Sequence, residues 1–314
     1  MIGVIAKQEL KALTRERILF FLLAVFVLMI SVTSFLGWEA SVTTNSIYQA
    51  SIHFLRLTGV SPLPLNPLAN IPALSTFRNL IVYMFLIGSL LGIVVGYHSV
   101  MRERKSGTLS LQFSRPISDR QFLVGKLVGV ATAILIIIFF SGLISVAFSF
   151  FLPTQHLATP DVWRLGLFFG WSFFYLLLFV LVGFTSALTI RNESLALFLP
   201  VILWVGICFV IPELTSGQTP TALLNPVKID QSAPSSPFFQ RTGRILNPIS
   251  YGWQYTMLSG DLLPSPFDAV QPVGQVIRRH IGFIALLFVS LAACFALSAR
   301  GLQNLRRRGD MAHV

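Results

Sequence analysis

Charge is scarce in this 314-residue chain. Lys and Arg number 23 and Asp and Glu 12, together 11% of the residues, against about a quarter in ordinary soluble domains. With 54% of the residues hydrophobic, a water-soluble globule could not be covered by so few charges. The same hydrophobicity excludes a disordered chain. Cysteine is nearly missing: Cys208 and Cys294 cannot build a disulfide scaffold or a multi-cysteine metal site. The five histidines are scattered without the ligand spacing of a zinc site. There is no Gly-x-Ser-x-Gly nucleophile elbow. The one Gly-Lys pair, Gly125-Lys126, is followed by Leu127, so a phosphate-binding loop is lacking as well. The chain is therefore not expected to be an enzyme, to hold a cofactor or to hydrolyse ATP by itself.

What is present is long apolar runs. Six windows, 18–37, 80–97, 127–152, 165–190, 194–212 and 281–299, contain no Asp, Glu, Lys or Arg. Each approaches or exceeds the roughly 20 apolar residues that cross a hydrocarbon core as helix. Lipid cannot satisfy an open sheet edge, so these spans are expected to be helical, and the alternating ten-residue strands of a barrel are missing. The expected fold is an all-α integral membrane protein with six transmembrane helices in a single domain, 1–314. Basic residues set its orientation. With the N-terminus cytoplasmic, 15 of the 23 Lys and Arg fall inside, so both termini are expected in the cytoplasm and the chain in a plasma, or bacterial inner, membrane. The net charge of +11 then reflects topology and anionic lipid; no compact soluble module is present to carry nucleic-acid binding.

Between the spans, residues 1–17 read as an amphipathic elbow helix. Lys7, Lys11 and Arg15 share one face and Ile2, Ile5, Ala6, Leu10 and Leu13 another. Two outer segments, 38–79 and 213–280, are too long to be mere connectors, and both are rich in proline. In the second, Ile249, Trp253 and Met257 recur every four residues, which suits either an interfacial helix or one packed over the spans. Arg78, Arg164, Arg278 and Arg279 stand at helix ends, where they can snorkel. Gly88, Gly92 and Gly96 form a four-residue stripe, echoed by Gly125 and Gly129 and by Gly166 and Gly170. Such stripes mark close helix contacts without saying whether the partner helix belongs to the same chain. Pro200, inside the fifth window, is expected to kink its helix or to free a carbonyl for a neighbour.

The inner segment 101–126 is the most distinctive. Leu109, Phe113 and Ile117 are four apart, which predicts a short amphipathic helix, while Ser118 with Gln121 predicts a capped helix starting at Asp119. The run Arg102-Glu103-Arg104-Lys105-Ser106-Gly107-Thr108-Leu109, then Ser114-Arg115-Pro116-Ile117-Ser118, then Gly125-Lys126, resembles the signature of ABC-2-type transporter permeases. The six-span layout and the elbow helix are similar too. The resemblance implies a permease subunit that pairs with a second copy, as a homodimer, and is driven by two copies of a cytoplasmic ATPase. It implies that 101–126 is a coupling segment, with Thr108, Leu109, Leu111, Gln112 and Phe113 as docking face, Gly107 within the motif, and Glu103 and Arg104 transmitting motion into the second span. The tail, 300–314, is cytoplasmic in this scheme. The long outer segments resemble more closely the subgroup linked to maturation of periplasmic copper enzymes, which implies an extracytoplasmic partner protein. The alternative is a membrane scaffold that docks partners without a translocation path. A proton- or sodium-coupled carrier is disfavoured by the lack of intramembrane charge.

Overall fold

A computed structural model describes residues 1–59, 72–107, 118–151, 157–216, 237–265 and 270–307, together with positions 62, 64, 66 and 68. Among these residues the fold is all-helical. It comprises α1 (Ile2–Arg15), α2 (Ile18–Leu57), α3 (Ala73–Lys105), α4 (Asp119–Ser149), α5 (Thr159–Thr189), α6 (Glu193–Thr215), α7 (Pro237–Leu246), α8 (Tyr251–Leu262), α9 (Val273–Arg279) and α10 (Ile281–Arg307). Six of them, α2 to α6 and α10, are long and apolar enough to cross a membrane.

Local chemistry sets the boundaries. α4 begins at Asp119, where the Ser118 hydroxyl accepts from the Gln121 amide at 3.3 Å. The Asn192 side chain accepts from the amides of Ser194 and Leu195 to start α6, and Asp161 accepts from the Ala158 amide at the start of α5. Arg17 takes a left-handed φ of 61° between α1 and α2, turning the chain from the elbow into the first span. Gly107, at φ 66°, closes α3 in the conformation that favours glycine.

α3 and α5 form the centre of the bundle. A methyl group at Gly88 would stand 2.8 Å from Leu176 Cδ2, and one at Gly92 would stand 3.1 Å from the Leu176 carbonyl oxygen; one at Gly96 would run into the Val180 carbonyl. On α5, Gly183 faces the Ile93 carbonyl in the same way. The stripe's partner helix thus lies within the chain. Gly166 and Gly170 meet nothing within 4 Å. Gly125 and Gly129 receive α1, through Ile5 and Glu9, so the elbow packs on the first turns of α4.

Pro200 stays within an unbroken helical stretch, Glu193–Val205. It lacks the N–H that would bond the Ala196 carbonyl four residues back, and the Ser186 hydroxyl of α5 donates to that oxygen at 2.5 Å. The irregularity falls later, in a π turn over Gly206–Val210, and a second π turn occupies Met84–Gly88 of α3.

The outer segments differ from expectation. The helix of the first span does not stop near residue 37 but runs on to Leu57, because 38–57 contains no proline or interior glycine to stop it. α8 is a packing helix. Tyr255, Leu258 and Leu262 are buried, Tyr255 stacks on Tyr175 of α5 at 4.1 Å, and its hydroxyl lies 2.7 Å from Ser172 Oγ. Its buried face is not the Ile249–Trp253–Met257 stripe, which is exposed or half-buried. Arg164 does not snorkel. It is 4% exposed and donates to the carbonyls of Asp261 and Gln271.

Candidate functional site: a charge cluster joining the elbow helix to two spans

The sequence places an acid in the apolar stripe of α1. Ile5, Glu9 and Leu13 are spaced by four, so Glu9 faces the bundle with the two hydrophobic residues. There it is 3% exposed, and its carboxylate accepts from Lys126 Nζ at 2.9 Å, Arg102 Nη2 at 2.8 Å and Ser99 Oγ at 2.9 Å. Lys126, in the second turn of α4, is 1% exposed. It also donates to the Ser99 carbonyl at 2.7 Å and pairs with Glu103 Oε1 at 2.9 Å. Two acids and two bases therefore neutralise one another where α1, α3 and α4 meet. At the rim Glu16 pairs with Arg102 at 3.4 Å and stands 3.6 Å from His98 Nδ1.

The cluster holds charge out of water only because every charge has a partner. Burial would raise the Glu9 carboxyl, but the Lys126 ammonium and the Arg102 guanidinium, with the hydrogen bonds from Lys126 and Ser99, outweigh it and hold the group below its ordinary value. Lys126 is the member shared by both acids, so its removal leaves Glu103 without an ion partner and Glu9 with Arg102 alone. The second carboxylate oxygen of Glu103 is buried with no hydrogen-bond partner among the described residues.

Arg104 turns the other way. Its Nη1 donates to the carbonyls of Ala187 at 2.7 Å and Ile190 at 2.9 Å, at the end of α5, where a cation complements the free carbonyls and the helix dipole. Lys105 pairs with Glu193 at the start of α6 at 2.9 Å, and the Tyr97 hydroxyl donates to the Glu193 carbonyl. Beneath them Val100, Met101, Phe122, Leu123, Phe184 and Leu302 make a separate apolar cluster, and Arg306 of α10 meets Asp119 at 2.8 Å. Six helices, α1, α3, α4, α5, α6 and α10, thus converge on the two ends of segment 101–126.

Of the expected site residues, Glu103, Arg104 and Gly107 are at this junction; Thr108, Leu109, Leu111, Gln112 and Phe113 lie outside the described residues. Sequence reasoning overlooked Glu9 and Ser99. The signal for Glu9 was there: it is the only acid among the stripe positions of a helix whose other charges sit on the opposite face. Ser99 carried no signal, being one small residue in an apolar helix.

The fold and the junction define an all-helical, six-span integral membrane protein whose first helix is bound to both ends of segment 101–126. Compared with known families, residues 3–300 match the ABC-2 family transporter protein description, and the chain belongs to that family. A search of curated proteins gives no significant match. Members of the family are membrane components of transporters, and this chain is one of them.

Proposed function

We propose that the chain is the permease subunit of an ATP-binding cassette transporter, coupling ATP hydrolysis by a separate cytoplasmic ATPase to export or to mechanical work across the membrane. The observation that carries this reading is the family match over residues 3–300. The charge cluster supports it, because it fixes both ends of the inner segment to α1, α3, α4 and α5. A push delivered there would move several spans as one body, the behaviour required of a helix pair that tilts without melting. In this reading the end of the bundle that carries α1 is cytoplasmic, two ATPase copies dock there, and a second permease copy completes the pathway. Thr108, Leu109, Leu111, Gln112 and Phe113 form the docking face, while Glu103, Arg104 and Gly107 hold its near end. Segment 38–79 and segment 213–280 then face an extracytoplasmic partner.

The test is co-purification of a tagged chain with its ATPase from detergent-solubilised membranes. Replacing Leu109 and Phe113 together by Asp is expected to abolish association while the six-span protein still accumulates. Unchanged association would overturn the docking face. ATP turnover by the purified chain alone would overturn the division of labour.

A further inference from the structure

α2 is 40 residues long, about 60 Å at the helical rise. Some 20 residues cross the hydrocarbon core, so the remainder carries the helix about 30 Å beyond it, on the side away from α1. One face of this extension is covered by the chain itself. Ile52 is buried, as is Leu68 of the returning segment; the Tyr48 hydroxyl donates to the Pro64 carbonyl at 3.0 Å, and Asn66 Nδ2 donates to Asn45 Oδ1 at 3.4 Å.

The other face is uncovered, and it is apolar. Leu36, Ala40, Thr43, Ile47, Ala50, Phe54 and Leu57 follow one another at alternating steps of four and three, and all seven are exposed. Ile47 is 62%, Phe54 64% and Leu57 75% exposed, beyond the reach of the hydrocarbon that would make such exposure harmless. An alternating four-three repeat is the seam of a two-helix coiled coil, with Ala40, Ile47 and Phe54 in one set of core positions and Leu36, Thr43, Ala50 and Leu57 in the other.

We infer that this seam pairs, in parallel and in register, with the same helix of a second copy of the chain. The inference rests on the reading that the permease works as a pair, and adds the surface through which the pair is held outside the membrane. Three observations favour a second copy over another occupant. The extension is continuous with a span, so a two-fold axis along the membrane normal brings identical stripes face to face with the same polarity. The flanking positions fit self-pairing: Glu39 would face Thr44, Ser46 would face Ser51, and His53 would face Thr58, so no like charges oppose one another. Ile47 and Phe54 would each meet their own counterpart, with the smaller Thr43 before Ile47 and Ala50 between the two, so no two bulky layers are adjacent from Thr43 to Phe54.

The experiment uses the full chain in native membranes, with single cysteines introduced at exposed positions by Ile47→Cys, Phe54→Cys or, as control, Gln49→Cys. Gln49 is exposed and points away from the seam. The native Cys208 is buried within a span, and Cys294 lies in α10; the unsubstituted chain gives the background. Mild oxidation is expected to convert most of the Ile47→Cys and Phe54→Cys protein to a disulfide-linked dimer on non-reducing gels and to leave Gln49→Cys at background, since a disulfide needs Cα atoms within about 7 Å. No dimer at 47 and 54, equal dimer at 49, or cross-linking to a product of another mass would overturn the seam. Differently tagged copies are co-purified in parallel. If they associate while 47 and 54 fail to cross-link, the seam is wrong and the pairing stands; if they do not associate, the pairing itself is wrong.

Discussion

At the end of the bundle that carries α1, Glu9, Arg102, Glu103 and Lys126 satisfy one another side chain to side chain. At the opposite end Arg164 directs its donors to the backbone carbonyls of Asp261 and Gln271, while Asp261 pairs with His280 at 2.9 Å and with the more exposed Arg279 at 3.4 Å. Both arrangements bury a cation beside an acid. They differ in what is left when one member is lost. In the first, a deletion takes a formal charge away from buried ions of opposite sign, and loss of Lys126 takes it from Glu9 and Glu103 at once. In the second, losing Arg164 frees two peptide carbonyls, which are neutral. The first cluster is therefore the more fragile, and it is the one that borders the inner segment.

The largest expected effect is at Lys126. Lys126→Ala strips Glu9 and Glu103 of their shared ammonium, and a broken buried pair costs about 3–5 kcal/mol. A lower melting temperature in detergent, together with protease cleavage within residues 1–17, would show it; a change no larger than that of Arg164→Ala would erase the contrast. Arg164→Ala is expected to cost about 1.5–3 kcal/mol, the range for hydrogen bonds made by a charged donor, and to loosen α8 and α9 rather than α1.

Packing offers a comparison of similar size. Gly96→Leu drives a side chain into the Val180 backbone, and overpacking of this kind costs about 1–3 kcal/mol. Gly166→Leu, on an open face of α5, is expected to leave thermal stability unchanged. Equal losses at the two glycines would mean that Gly166 is also covered.

The smallest effect concerns acid. The Glu9 carboxyl is held below its ordinary value of 4.5, so its contribution is fully present above that pH and is lost as pH falls through the lowered value. Melting temperature measured from pH 7 downward should begin to fall below about 4.5, and Glu9→Gln should flatten that part of the curve. A curve of unchanged shape in Glu9→Gln would assign the acid sensitivity to other carboxylates.

The spans were legible because the hydrocarbon core forbids charge: the six apolar windows fall on α2 to α6 and on α10. The start of α4 was legible from Ser118 and Gln121, since capping is a local rule, and so was the freed carbonyl opposite Pro200. The continuation of α2 to Leu57 was not legible, because apolarity drops after Gly37 and hydropathy tells where a helix can leave the lipid, not where the helix ends. The partner of Gly88, Gly92 and Gly96 was out of reach, because a small-residue stripe does not name what fills it. Lys126 was visible as part of a motif, but its role was not. That depends on Glu9, which lies 117 residues away in the chain.

That separation bears on how the protein is made. α1 is synthesised before its partners: the Lys126 ammonium follows Glu9 by 117 residues, and the Gly125–Gly129 surface that receives the helix lies in the same stretch. At about 5–20 residues per second the delay is roughly 6–23 seconds. During that interval α1 can meet only α2 and, as they follow, Ser99 and Arg102 of α3. α1 thus completes its contacts only after α4 has followed it in the chain, and its docking reports that α4 has arrived.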